Sequence, residues 1–116
     1  MILSSDAVFQ KISDGLKGNE AKAKAVNGVF LYKITKDGKA VKEWTLDLKN
    51  AKIYEGPAKD VKVDTTLTVS DEDMVDIAVG KLNPQSAFMK GKLKIAGNIM
   101  LTQKLAPLLK QADAKL

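Results

Sequence analysis

Two periodicities divide the chain. Around positions 29–35 β-branched and aromatic residues predominate, and over 40–48 apolar residues recur at every second place, with Trp44, Leu46 and Leu48 on one face and Glu43, Thr45 and Asp47 on the other. These patterns predict two strands, and Asp37-Gly38 between them predicts a tight hairpin turn. Shorter strands are expected at Lys52–Glu55, between an Asn50 turn and a Gly56-Pro57 loop, and at 64–69, where Val63, Leu67 and Val69 oppose Asp64, Thr66 and Thr68. A last strand is expected at 93–95, where Leu93 and Ile95 alternate with Lys92 and Lys94.

Elsewhere the period is helical. Val8, Phe9, Ile12 and Leu16 share one face of a first helix, with Ser4, Ser5 or Asp6 as its cap and Gly18-Asn19 as its stop. The alanine- and lysine-rich stretch 20–26 predicts a short second helix with a thin apolar face. Ser70-Asp71-Glu72-Asp73 has the form of a capping box and starts a helix through Met74, Val75, Ile77, Ala78 and Val79 that Gly80 closes. Asn83-Pro84 starts another, because asparagine caps the free amides and proline at the first helical position loses nothing. Gly91 ends it. After Gly97-Asn98 the apolar set Ile99, Met100, Leu101 and Leu105 begins a last helix and continues past Pro107 into Leu108 and Leu109. The elements add up to an α+β domain: five strands in one mostly antiparallel sheet, covered on one face by about five helices.

Composition narrows the chemistry. The 116 residues suit a single domain, and with aromatics at 5% the interior must be mainly aliphatic, around one tryptophan, Trp44. The chain has neither cysteine nor histidine, which excludes disulfides, thiolate and histidine-based nucleophilic catalysis and almost every zinc site. Asp71, Glu72, Asp73 and Asp76 lack the alternating ligands and central glycine of a calcium loop, and a helix dipole accounts for them. Asp47, Asp64 and Asp76 read as scattered solvent-facing acids, and neither Ser86 nor Thr102 has an activating base in sight. No catalysis is expected, and no cofactor or metal is implied. The formal charge is +5, every base is lysine, and the lysines are interspersed with acids. Without arginine forks or many aromatics to stack bases, a nucleic-acid ligand is disfavoured. Most of the lysines solvate the surface; a subset can meet anionic lipid headgroups, in a transient membrane contact, or coenzyme A phosphates. No apolar run approaches the ~20 residues that cross a bilayer, and Met1-Ile2-Leu3 lacks the pattern of a secretory signal.

The apolar surface of the last helix is wider than a packing stripe requires. It either closes a solid core or leaves a tunnel for an aliphatic guest, and composition leaves both open. The run 83–105, NPQSAFMKGKLKIAGNIMLTQKL, resembles the C-terminal signature of the sterol carrier protein 2 family of lipid-binding domains, in the form found at the end of peroxisomal multifunctional enzymes. The likeness extends over nearly the whole chain, from about Phe9 to Leu116. It implies an SCP-2-like domain with an apolar tunnel between helices and sheet, holding fatty acids, fatty acyl-CoA and, as further guests, sterols or phospholipids. The implied walls are Phe9, Ile12, Trp44, Ile77, Phe88, Met100, Leu101 and Leu105, with Gln85 and Gln103 near the guest and Lys90 and Lys104 at the mouth. Met89 stands where relatives often carry a second phenylalanine, a softer side chain that can reshape the cavity. Ala114-Lys115-Leu116 differs by one small residue from the Ser-Lys-Leu peroxisomal address, which implies the import receptor as a partner and the peroxisomal matrix as location, with the cytosol second. An accessory role in a β-oxidation enzyme, presenting acyl-CoA or the import signal, is the alternative.

Overall fold

The central strand β1 (Val29–Lys36) organises the sheet. It pairs antiparallel with β2 (Lys39–Asp47) on one side and parallel with β4 (Thr65–Ser70) on the other. β3 (Lys52–Glu55) adds antiparallel to β2 and β5 (Leu93–Gly97) antiparallel to β4, giving the order β3-β2-β1-β4-β5. The computed structural model describes residues 3–18, 20–101 and 104. The hairpin turn takes the expected form: Asp37 and Gly38 have φ of 54° and 81°, the paired positive values that match the twist of adjacent strands.

Register decides which side chains meet. Phe30, Tyr32 and Ile34 lie opposite Leu46, Trp44 and Lys42, and beside Thr65, Leu67 and Val69. The register shifts between Ile34 and Thr35, so Val41 is an extra residue in β2, a bulge just before Lys42, which shares a face with Trp44 and Leu46. Ile53, Leu93 and Ile95 extend that face across β3 and β5. Helices cover it in sequence: α1 (Ser4–Leu16) packs over β3, α3 (Asp71–Ala78) over β1 and β4, and α4 (Pro84–Met89) over β5. The short α2 (Glu20–Val26) contributes Ala23 and Val26 to the core. The backbone turns helical again at Ile99.

Local chemistry explains most element ends. Ser70 Oγ accepts the Asp73 amide at 3.1 Å and Asn83 Oδ1 accepts the amides of Gln85 and Ser86 at 2.8 and 3.3 Å. Gly80 and Gly91 end their helices with positive φ. At Gly97, φ is +99° and a Cβ would run into the Asp64 carbonyl, so only glycine fits. Around it the Thr65 hydroxyl donates to the Asn98 carbonyl at 2.8 Å, the Asn98 amide donates to the Asp64 carbonyl at 3.1 Å, and Asn98 Oδ1 accepts the Leu101 amide. This knot fixes where the last helix leaves the sheet.

Two sequence expectations are corrected. No serine caps α1. Leu3 is its cap position, with its amide donating to Asp6 Oδ2 at 2.9 Å, and the amides of Ser4 and Ser5 donate to Asp71 at 3.3 and 2.7 Å. A carboxylate from α3, sixty-odd residues away, thus serves the N-terminus of α1. Nor is Asp47 solvent-facing. It is buried under the β2–β3 turn, where Oδ2 accepts the Asn50 side-chain amide at 2.8 Å, beside a buried Thr45 whose hydroxyl donates to the Gly56 carbonyl. Asp64 and Asp76 are half-buried as well, Asp64 Oδ2 holding the Val29 amide at 2.9 Å.

An ion pair also holds α1 down. Lys42 Nζ sits 2.8 Å from Asp6 Oδ2 and 3.4 Å from Glu55, its side chain only 9% exposed. Burial pushes the Asp6 carboxyl up, but the Lys42 hydrogen bond, the Leu3 amide and the ammonium charge outweigh it and hold Asp6 below its ordinary range. The Asp6 hydrogen bond, working against desolvation and helped by both acids' charges, raises Lys42. A lowered carboxylate stabilises the fold above its unfolded pKa and stops doing so as pH falls through its folded one; a raised ammonium loses its contribution only as pH climbs past its own. The pair is therefore fully in force between about pH 5 and pH 10. Asp6→Asn, which leaves Lys42 half-satisfied, should cost about 1–3 kcal/mol at neutral pH, and pH-dependent melting should show a flatter acid limb than the parent's. Gly97→Ala should destabilise more than any other glycine-to-alanine change in the β5 region, read by denaturant midpoint.

Candidate functional site

The helix-side face of the sheet and the inner faces of α1, α3 and the start of the last helix enclose a common interior. Phe9, from the middle of α1, is its centre. Its ring stacks on Trp44 at 4.9 Å and 9° and meets Tyr32 edge-on at 5.4 Å. Both arrangements suit aromatic quadrupoles. Around this trio lie Ile12, Phe30, Leu46, Leu67 and Met74, all buried. Burial raises the Tyr32 phenol above its ordinary range, so it stays neutral across physiological pH.

Two polar atoms inside this apolar interior have no hydrogen-bond partner among the described residues: Ser5 Oγ and Trp44 Nε1. Ser5 is fully buried one helical turn before Phe9, and Trp44 lies on Phe9's ring. Leaving a buried donor unsatisfied costs roughly 1–3 kcal/mol. The two atoms offer the interior hydrogen-bonding capacity suited to a hydroxyl, carbonyl or carboxyl oxygen.

The residues expected at the site divide into three groups. Phe9 and Ile12 are buried, and Trp44, Ile77 and Leu101 are half-buried and packed against the core. Gln85, Phe88, Met89, Met100, Lys90 and Lys104 are exposed, Met89 at 85% and Met100 at 67%. Gln103, Leu105 and the terminal Ala114-Lys115-Leu116 lie outside the described residues. Interior and rim are thus both represented, and Gln85 stands on the outer side, its backbone amide engaged by Asn83.

Sequence reasoning passed over Ser5, Tyr32 and Gly28. A buried serine next to a helix start reads as a cap, and a tyrosine in a strand reads as ordinary core. Gly28 is the more instructive. Its φ lies outside the left-handed region, so its backbone would accept a side chain, yet a Cβ there would come within 3.1 Å of a Leu101 methyl and 3.3 Å of the Phe30 ring. The missing side chain allows a close approach: it lets Leu101 seat the last helix on the start of β1. Only the packed structure carries that signal.

A five-stranded sheet with a one-sided helical layer over an aromatic-centred apolar interior defines an α+β domain. The chain belongs to the SCP-2 sterol transfer family, whose pattern matches residues 9–110. It is 48% identical over 112 residues to peroxisomal multifunctional enzyme type 2 of Mus musculus, a match covering 93% of this chain and 15% of that enzyme. Among solved structures it resembles apo sterol carrier protein 2 of Yarrowia lipolytica, with a TM-score of 0.83 at 31% identity over 96% of this chain and 93% of that one. It also resembles the Aedes aegypti sterol carrier protein-2 determined with palmitate, with a TM-score of 0.79 at 35% identity over 96% of this chain and 98% of that one. The chain spans about a fifth or less of the length of the curated relatives it matches.

The Gly28–Leu101 seat can be tested without a ligand. Gly28→Val overpacks it and should cost about 1–3 kcal/mol. Adding Leu101→Ala should recover part of that loss, so a double-mutant cycle by thermal melting should show coupling rather than additivity.

Proposed function

We propose that this chain is a non-catalytic lipid-binding and transfer domain that holds long-chain fatty acids and fatty acyl-CoA, with sterols and phospholipids as further guests, in a tunnel between helices and sheet. The observation that carries this reading is the uneven fate of its apolar surface. If the wide apolar face merely closed a solid core, its large side chains would be buried. Instead Phe88, Met89, Ile99 and Met100 stand 44–85% exposed at the edge of the buried core. Family membership and the palmitate-bound relative support the same conclusion.

Burial of methylenes drives binding at ~0.8 kcal/mol each before association costs, so part of an acyl chain suffices and discrimination by length is weak. Phe9, Ile12, Trp44, Ile77 and Leu101 form the inner wall in this reading, with Phe88, Met89 and Met100 at the rim and Leu105 continuing the wall. Ser5 Oγ, Trp44 Nε1, Gln85 and Gln103 are the groups that meet the guest's polar atoms. Lys90 and Lys104 are exposed and meet the phosphates of coenzyme A outside the mouth.

The peroxisomal name of the mouse relative supports a peroxisomal location, and the likeness of Ala114-Lys115-Leu116 to Ser-Lys-Leu supports an import receptor as partner. Because the match covers only 15% of that multifunctional enzyme, a second reading also has support: the domain presents acyl-CoA to neighbouring β-oxidation sites within a longer protein, without independent transfer.

Displacement of a fluorescent fatty acid by palmitate, palmitoyl-CoA and cholesterol tests the proposal. The parent should show saturable binding, and Met100→Trp, which places a bulky ring at the rim, should weaken it tenfold or more while the melting temperature stays within a few degrees. No saturable binding by the folded parent would refute the proposal.

A further inference from the structure

The unpaired polar atoms of the interior belong to one corner of it. Ser5 and Phe9 are one turn apart on the same face of α1, and the Phe9 ring lies on Trp44. Asp6, the residue after Ser5, reaches Lys42 at 2.8 Å. Lys42 stands two places before Trp44 on the same face of β2, its ammonium 6.0 Å from the Trp44 ring centroid. The first turn of α1 therefore sits over the Lys42–Trp44 stretch of the sheet. Ser5 Oγ and Trp44 Nε1, neither with a partner among the described residues, share that corner.

Local structure uses neither atom. Ser5 Oγ caps no helix, and a place in the first turn leaves it no helical carbonyl four residues back to bond. Its backbone is nonetheless fixed, because Asp71 accepts the Ser5 amide at 2.7 Å. An indole N–H only donates, whereas a serine hydroxyl donates and accepts. One oxygen with free lone pairs can take a hydrogen bond from each, and a hydroxyl can return one to Ser5.

Charge decides which kind of oxygen fits. Asp6 and Glu55 hold Lys42, Asp71 holds the Ser4 and Ser5 amides, and Glu55 is the cross-strand neighbour of Trp44. These three carboxylates against one ammonium disfavour a further anion, so a neutral hydroxyl or carbonyl belongs here and a carboxylate does not. Position decides where that oxygen sits on the guest. Phe88, Met89 and Met100 form the exposed rim beside β5, while Trp44 is on β2, three strands away in the sheet order, ~14 Å at the usual strand spacing. A guest that enters over that rim with its charged head outside brings the far part of its chain to this corner.

We propose that Ser5 Oγ and Trp44 Nε1 form an internal hydrogen-bonding subsite that selects long-chain guests with a neutral oxygen, hydroxyl or carbonyl, on the distal half of the chain. The inference deepens the carrier reading and rests on it.

Displacement of a fluorescent fatty acid by palmitate, α-hydroxypalmitate, a mid-chain hydroxypalmitate, ω-hydroxypalmitate and hexadecanedioate tests it. In the parent, a mid-chain or ω-hydroxyl should raise affinity about threefold or more over palmitate. The α-hydroxyl should give no such gain, and the inner carboxylate of hexadecanedioate should make it bind more weakly than ω-hydroxypalmitate. Ser5→Ala removes a buried unpaired hydroxyl and should fold at least as stably as the parent. In Ser5→Ala and in Trp44→Phe the ratio of distal-hydroxyl to palmitate affinity should fall toward one. The chain has one tryptophan, so its single indole N–H resonance should shift further with the favoured hydroxy acid than with palmitate. No gain from either distal hydroxyl, an equal gain from the α-hydroxyl, or a ratio unchanged in both variants would overturn the proposal. A parent that binds palmitate without preference refutes the subsite alone, whereas a folded parent that binds none of these guests refutes the carrier reading with it.

Discussion

The stacking of Phe9 on Trp44 is the contact on which the rest of the architecture depends. It joins an N-terminal helix to a strand thirty-five residues later and brings Tyr32 of the central strand into the same cluster. With α1 held there, the polar ties fall into place: Asp6 reaches Lys42 on the sheet, and Asp71 of α3 receives the amides of Ser4 and Ser5. The hydrophobic contact is non-directional, and the directional bonds fix the angle at which α1 lies. A helix whose N-terminal amides are served by a distant carboxylate cannot rotate without leaving several donors unpaired.

The opposite edge is built on a different principle. There the last helix is positioned by backbone constraints, a glycine pressed against the Asp64 carbonyl and a second glycine over which Leu101 sits. Between a rigid α1 side and a glycine-seated far side, the helical layer leaves large apolar side chains uncovered at the β5 edge. In the carrier reading, that asymmetry separates the part of the domain that keeps the fold from the part that exchanges cargo.

Much of this was legible in the sequence because local rules and global packing agree. Alternation along β2 placed Trp44 and Leu46 on the buried face, Asp37-Gly38 gave the hairpin, and Asn83-Pro84 gave the start of α4. What was hidden depends on neighbours distant in the chain. Asp47 looked solvated because its face of the strand is polar, yet the β2–β3 turn folds over it. The serines that open α1 looked like caps, yet Asp71 takes that role. Gly28 carried no turn signal, because its reason is the Leu101 side chain rather than its own backbone. The resemblance of the run from Asn83 to Leu105 pointed to the family, while the exposure of the rim and the unpartnered Ser5 and Trp44 atoms became visible only in three dimensions.

The central claim is that the interior around Phe9 and Trp44 admits an acyl chain. Isotope-filtered nuclear Overhauser spectra of the labelled domain with unlabelled palmitate test it most directly. The account predicts contacts from palmitate methylenes to Trp44, Ile77 and Leu101, inside the helical layer. Contacts confined to the outer surface of Met89 and Met100, or none at all to a folded protein, would contradict it.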